Sequence, residues 1–157
     1  MLAHFTKLDF APFQFQGWLG KRHVVSFGWR YDYNQARFSM AAPIPDFLLP
    51  IRIEAARFAG LQPEALEQAL VTRYDSGAGI GWHRDRPVFE TVVGISLLAL
   101  CVLRFRRREE KGFQRASLQI EPRSIYKLSG TVRDQWEHSI AEMDKTRYSV
   151  TFRSLRG

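Results

Sequence analysis

The chain has 157 residues, 45% of them hydrophobic and 25% charged, enough to close one hydrophobic core and too few for two independent domains. The absence of polar low-complexity sequence excludes disorder for the bulk of the chain, and the longest apolar run, Leu97 to Leu103, is far short of the roughly 20 residues of a transmembrane helix. Lysine plus arginine is 23 against 16 acidic residues, a net charge of +7, which favours a polyanionic partner such as nucleic acid.

Met1 to Phe10 lacks the basic start and continuous apolar stretch of a secretory signal, so a cytoplasmic protein with no membrane association is expected. Phe10, Phe13, Phe15 and Trp18, a turn signal at Leu19-Gly20-Lys21, and the run Val24 to Tyr33 predict a hairpin or two short strands. Phe47, Leu48, Ile51, Ala55, Phe58 and Ala59 recur at helical spacing and predict a helix over 46–59, with Pro50 delaying its start and Gly60 as its stop. Pro63 to Gln68 reads as a further short helix, and Ala69 to Tyr74 as a strand leading into the glycine-rich loop 75–81.

Beyond that loop, Val92 to Phe105, Ser117 to Ile120, Ser124 to Leu128 and Arg147 to Phe152 are β-forming runs broken by turns, which predicts a β-sandwich or barrel. In the last run Arg147, Ser149, Thr151 and Arg153 share one face and Tyr148, Val150 and Phe152 the other. That polar face is either solvated or lines the barrel interior, where its arginines require anionic partners. Cys101, the single cysteine, sits in the apolar run and reads as a buried, inert thiol.

Of the four histidines, His4 and His23 have no carboxylate or cysteine at ligand spacing, whereas His83-x-Asp85 follows the glycine-rich loop. On a strand, residues i and i+2 share a face, so this pair offers an imidazole nitrogen and a carboxylate oxygen to one point. His138 would complete a two-histidine, one-carboxylate set that leaves open metal positions, an arrangement suited to non-haem iron(II), with zinc as the competing metal. Two arginines on an inward strand would hold a dicarboxylic co-substrate.

These residues, His83-x-Asp85, His138 and Arg147-x-Ser149-x-Thr151-x-Arg153, together resemble the AlkB family of iron(II)- and 2-oxoglutarate-dependent dioxygenases. The resemblance extends through the segments from Val71 to Gly77 and from Phe27 to Tyr33, and covers nearly the whole chain. It implies a mainly β fold with a few helices, the double-stranded β-helix or jelly-roll barrel, in a single domain over 1–157 with 1–44 as a substrate lid and 69–157 as the catalytic barrel. His83, Asp85 and His138 would be the catalytic Fe(II) ligands. Arg147, with the Tyr74 hydroxyl, would pair with the distal carboxylate of 2-oxoglutarate, Thr72 and Ser149 would contact the same co-substrate, and Arg153 would lie near its metal-side carboxylate and the base.

The reaction implied consumes O2 and 2-oxoglutarate, yields succinate and carbon dioxide, and hydroxylates an N-alkyl carbon that then leaves as an aldehyde. The expected substrate is alkylated DNA or RNA, handled by a monomer. This chain departs from the family pattern at Thr72 and Ser149, where DNA-repair members often carry Asn, and at Pro87, where an acidic residue often contacts the base. Trp29, Tyr31 and Tyr33 beside Arg22, Arg30 and Arg37 offer rings and cations to a flipped base, with core packing as the alternative. Arg84 adjoins the metal pair and joins this substrate set, while Trp82 and Trp136 read as supports of the ligands or barrel wall. Arg104 to Arg108, followed by Glu109-Glu110-Lys111-Gly112, reads as two strands joined by a charged hairpin, either a solvated face or a phosphate contact by Arg106 to Arg108. Other readings are the same oxidation on a modified RNA nucleoside, a protein or a small molecule, and a non-catalytic nucleic-acid-binding barrel.

Overall fold

Period-two alternation of apolar residues dominates the chain and builds three antiparallel sheets. The computed structural model describes residues 2–15, 18–32 and 35–157, with the side chains of all but 14, 15, 18 and 19. Tyr33 and the rings of Phe15 and Trp18 thus lie outside the described residues. The elements are α1 (Leu2–Phe5), β1 (Ala11–Phe15), β2 (Trp18–Phe27), β3 (Trp29–Asp32), β4 (Arg37–Met40), α2 (Leu49–Ala59), β5 (Leu66–Tyr74), β6 (Ile80–His83), β7 (Phe89–Leu97), β8 (Cys101–Arg108), β9 (Phe113–Ile120), β10 (Ser124–Leu128), α3 (Thr131–Asp134), β11 (Glu137–Ile140) and β12 (Arg147–Leu155). No helix among the described residues is long and apolar enough to cross a membrane.

The major sheet has the order β1-β2-β5-β12-β7-β10, the minor sheet β6-β11-β8-β9, and β3 and β4 form a separate ribbon. Two hydrophobic clusters show how these layers stack. One joins Tyr74, Val92 and Leu128 of the major sheet to Cys101, Leu103, Phe105 and Ile140 of the minor sheet, so the two sheets pack face to face. The other sets Val71, Val93, Ile95, Val150 and Phe152, on the opposite face of the major sheet, against Ala55 and Ala56 of α2 and against Phe5 and Leu48. β12 is therefore buried on both faces, and its polar positions point into the barrel rather than into solvent. This is the double-stranded β-helix expected.

The helix forms where its spacing predicts, as a 3-10 turn at Asp46–Leu48 followed by α2. Pro50 occupies the first turn, where a missing N–H is tolerated, and Gly60 closes the helix in the left-handed region at φ +74°. Only Pro63–Ala65 of the second expected helix forms, as a single 3-10 turn, and β5 begins at Leu66 rather than Ala69.

Three turns fall elsewhere than the residue types indicate. Leu19-Gly20-Lys21 lies within β2, because Phe15 pairs with Trp18 and the chain reverses before it. The run Val24 to Tyr33 breaks at Gly28, where φ is +78° and a Cβ would lie 2.0 Å from the Glu67 carbonyl oxygen. The run Val92 to Phe105 divides into β7 and β8, crossing from the major to the minor sheet at Leu98, a non-glycine residue at φ +82°. The first 44 residues also divide: β2 pairs with β5 and β1 with β2, extending the major sheet, and the β3–β4 ribbon stands apart from it.

Candidate metal and co-substrate centre

β6 and β11 are adjacent in the minor sheet and pair in a register that sets His83 directly opposite His138, with ring centroids 4.3 Å apart. Asp85 follows β6 by two residues, and its Oδ1 lies 3.4 Å from His83 Nε2 and 3.8 Å from His138 Nε2. All three ligand atoms fall within 4.8 Å of one another, as binding to one ion requires. His83 Nδ1 is 2.8 Å from the Gly81 carbonyl oxygen, to which it donates in the tautomer that leaves Nε2 free to bind metal.

Asp85 divides its two oxygens, since Oδ2 accepts from Arg153 Nε at 3.0 Å while Oδ1 faces the histidines. Burial alone would push its carboxyl up, but the Arg153 guanidinium, with His83 and His138, reverses this and holds it well below the usual carboxylate range. His138 is moved down to about 4, chiefly by burial and then by His83, against the opposing pull of Asp85. A carboxylate and a neutral imidazole are the forms in which these groups ligate a metal.

The inward face of the major sheet supplies the rest of the centre. Across β5 and β12, Tyr74 pairs with Arg147, Thr72 with Ser149, and Gln68 with Arg153; Ser96 of β7 flanks Ser149 on the other side. Arg147 is 1% exposed, lies under the Tyr74 ring at 5.1 Å and donates from Nε to Ser96 Oγ at 2.9 Å. Its Nη1 and Nη2 are buried without a hydrogen-bond partner among the described residues. A buried guanidinium with two unpaired nitrogens is strongly destabilising by itself, and a bidentate carboxylate is the group that matches it.

Three supporting residues escape a reading of the sequence. Gln68, 3% exposed, accepts from Arg153 Nη1 at 3.0 Å and donates to the Trp29 carbonyl oxygen at 3.0 Å, linking Asp85 through Arg153 to the β3–β4 ribbon. Arg133, buried in α3, donates to the carbonyl oxygens of Asp85, Arg86, Phe89 and Glu90, and so clamps the loop that carries Asp85. Tyr126 lies across Gly94, where a Cβ would meet its Cζ at 2.1 Å, and borders the same cavity. Only the third has a signal in the sequence, since a glycine inside a strand marks a close approach; the other two act through partners far away along the chain.

A cavity of about 960 Å³ opens between the sheets and is lined by His83, Asp85, His138, Tyr74, Thr72, Ser149 and Arg153. Arg30, Tyr31 and Arg84 line it as well, and Arg86 donates to the Tyr31 hydroxyl at 2.6 Å. Trp29 instead stacks on Phe38 at 4.8 Å, and Phe38 meets Phe89 edge-on, so its ring serves the packing of the ribbon. Arg37, also in the ribbon, is exposed, as is Pro87. Cys101 is buried, and burial pushes its thiol up, as an inert role requires.

The family model describing the 2OG-Fe(II) oxygenase superfamily matches residues 11–153. An alkylated DNA repair protein ALKBH8 homolog of Arabidopsis thaliana is 29% identical over 167 residues, which are 88% of this chain and 48% of that protein. The uncharacterized protein L905 of Acanthamoeba polyphaga mimivirus is 26% identical over 102 residues, 57% of this chain and 48% of that protein. The chain spans about half the length of these curated relatives. In three dimensions the solved structure of OsALKBH1 superposes with a TM-score of 0.63 at 16% identity, covering 85% of this chain and 78% of that one, a likeness of fold. The fold and the matched span agree: the chain belongs to the 2OG-Fe(II) oxygenase superfamily.

Proposed function

We propose that this chain is an Fe(II)- and 2-oxoglutarate-dependent dioxygenase that removes alkyl groups oxidatively from nucleobases of DNA or RNA. One observation carries the reading: the unpaired Nη1 and Nη2 of buried Arg147 lie on the same inward sheet face as Arg153, which grips Asp85 of the metal set. The donor set fits the ion, with two imidazole nitrogens and one carboxylate oxygen, and the orphaned guanidinium fits a distal carboxylate of the co-substrate. His83, Asp85 and His138 would hold iron, while Arg147, Tyr74, Thr72 and Ser149 would hold 2-oxoglutarate. Loaded with both, the centre couples oxidation of 2-oxoglutarate by O2 to hydroxylation of an alkyl carbon.

The chain's own residues position these participants. Arg153 and Gln68 fix Asp85 so that Oδ1 stays aimed at the histidines, and Arg133 fixes the backbone on which Asp85 stands. Arg30, Tyr31 and Arg84 at the mouth offer cations to phosphates and a ring to a base taken out of its stack. The name of the Arabidopsis relative, an alkylated DNA repair protein homolog, supports the same substrate class.

The test is release of succinate and formaldehyde from anaerobically iron-loaded protein given 2-oxoglutarate, air and methylated single- or double-stranded DNA and RNA oligonucleotides, with unmodified controls. Matched succinate and formaldehyde on methylated strands only is the expected result. Pro87, which supplies no carboxylate to a base, favours a second reading in which the same oxidation acts on a modified RNA nucleoside, a protein or a small molecule. Succinate without formaldehyde on every methylated strand would select that reading. Iron binding without any succinate would leave a non-catalytic barrel.

A further inference from the structure

We infer that the outer face of the minor sheet is a docking surface for the phosphate backbone of a single nucleic-acid strand. The inference builds on the nucleic-acid reading above, and its test is separable from it. On β8 the side chains alternate: Cys101, Leu103 and Phe105 are buried in the barrel, and Val102, Arg104, Arg106 and Arg108 point the other way. The paired positions on β9 are Gln119, Ser117, Arg115 and Phe113. Four arginines therefore share a face with Phe113 and with Trp82 of the edge strand β6.

The rings hold the cations in place. The guanidiniums of Arg104, Arg106 and Arg115 lie 5.3, 4.5 and 6.0 Å from the Trp82 ring, and those of Arg106, Arg108 and Arg115 lie 4.4, 5.0 and 5.8 Å from the Phe113 ring. Arg104 Nε donates to Ser139 Oγ at 3.1 Å and Arg106 Nε to Glu137, and a guanidinium stacked in this way offers its terminal N–H groups to an anion while losing less freedom on binding it. The arrangement also carries a cost, because Arg106 and Arg115 stand directly opposite each other across β8 and β9, and like charges so placed are destabilising. Glu137 pairs with Arg106 at 3.0 Å and offsets part of that; Glu109 and Glu110 lie beyond the strands, in the turn. A local conflict left standing in a sheet marks a functional surface.

The occupant follows from charge and spacing. Arg104, Arg106 and Arg108 recur every second residue, about 6.8 Å apart along the strand, the scale on which phosphates repeat along an extended nucleic-acid strand. Guanidinium planes and aromatic rings are also what unpaired bases stack on. Trp82 faces these arginines and borders the cavity, with Arg84 beside it. A strand with one base in the cavity would pass over the β6 edge onto this face.

The experiment measures binding of an unmodified, fluorescently labelled single-stranded oligonucleotide to the full chain by anisotropy at several salt concentrations. The variants are Arg104→Gln/Arg115→Gln and the charge-retaining Arg104→Lys/Arg115→Lys. The glutamine pair is expected to bind more weakly and to lower the slope of log affinity against log salt by about 1.4, since each phosphate contact on a single strand contributes about 0.7. The lysine pair should keep that slope. Arg115→Gln alone should not lower the thermal midpoint, because it relieves the opposed charges. Wild-type affinity and slope in a folded glutamine pair would overturn the inference, as would a slope lost equally in both pairs. An inactive enzyme that still binds strands through this face would overturn the dealkylation reading alone, and an active enzyme indifferent to these arginines would overturn the surface alone.

Discussion

Arg147 shows what it costs a core to hold a charge. A guanidinium that is 1% exposed with two unpaired nitrogens is a charge the core tolerates only because Ser96 and the Tyr74 ring hold its remaining edge. Arg147→Met keeps the length and removes the charge, so the co-substrate-free variant is expected to be as stable as the parent or more so. Stabilisation by 2-oxoglutarate should vanish; in the parent it amounts to about 2.7 kcal/mol at a hundredfold excess over Kd. Differential scanning fluorimetry with and without the co-substrate checks both halves, and a variant still stabilised by 2-oxoglutarate removes Arg147 from the site. Tyr126 offers a second residue-scale outcome. Burial pushes its phenol up to about 12, with Arg147 pulling the other way. The unfolded phenol titrates near 10, so the stability this group contributes is complete below about pH 10 and is lost as the pH rises through about 12, up to roughly 3 kcal/mol. Urea unfolding across that window should show a steeper alkaline loss in the parent than in Tyr126→Phe.

At the scale of elements, the β3–β4 ribbon meets the barrel at its base through Gln68, and further out through Arg86 on Tyr31 and Phe89 on Phe38. The Gly28 N–H donates to the Ala42 carbonyl at 2.7 Å, the Ala41 N–H returns to Gly28 at 3.0 Å, and Gln68 holds the Trp29 carbonyl. Gly28→Ala would place a methyl 2.0 Å from the Glu67 carbonyl oxygen at a φ of +78°, so the ribbon must shift from β5. Steady-state kinetics should show a rise in KM for the oligonucleotide severalfold larger than for 2-oxoglutarate, because Arg30 and Tyr31 ride on the ribbon and Arg147 does not; equal changes would place the ribbon outside substrate binding. Elements also show how much the sequence discloses. His83-x-Asp85 and the alternation from Arg147 to Arg153 are local patterns, legible before any fold is known, and the fold brings both to one cavity. The Leu98 corner leaves no trace, because a leucine in the left-handed region carries no turn signal. β6 and β11, four residues each, are too short to declare themselves; pairing with each other and with β8 makes them strands. Gln68 and Arg133 are invisible for a related reason, since their partners are brought to them only by the crossing of strands between sheets.

The whole molecule places the two halves of its centre on different sheets. His83 and His138 belong to the minor sheet, Arg147, Ser149 and Thr72 to the major sheet, and the Asp85–Arg153 contact joins them. A metal ion held by His83, Asp85 and His138 would engage the minor-sheet side, whereas a dicarboxylate paired with Arg147 and reaching toward that ion would hold both sheets in register. Ligands that each favour the same closed arrangement bind with a coupling free energy, typically about 1–3 kcal/mol, that is the same whichever is added first. Anaerobic thermal melts with Mn(II) as a stand-in for Fe(II), with 2-oxoglutarate, and with both are therefore expected to give a combined stabilisation larger than the sum of the separate ones. Asp85→Ala removes a charged ligand and leaves Arg153 without its carboxylate, so in that variant the metal effect should disappear, the excess with it, and turnover be abolished. Strictly additive stabilisation in the parent would mean that metal and co-substrate bind independently, and that the hydrophobic cluster and the Asp85–Arg153 contact already hold the sheets in register without them.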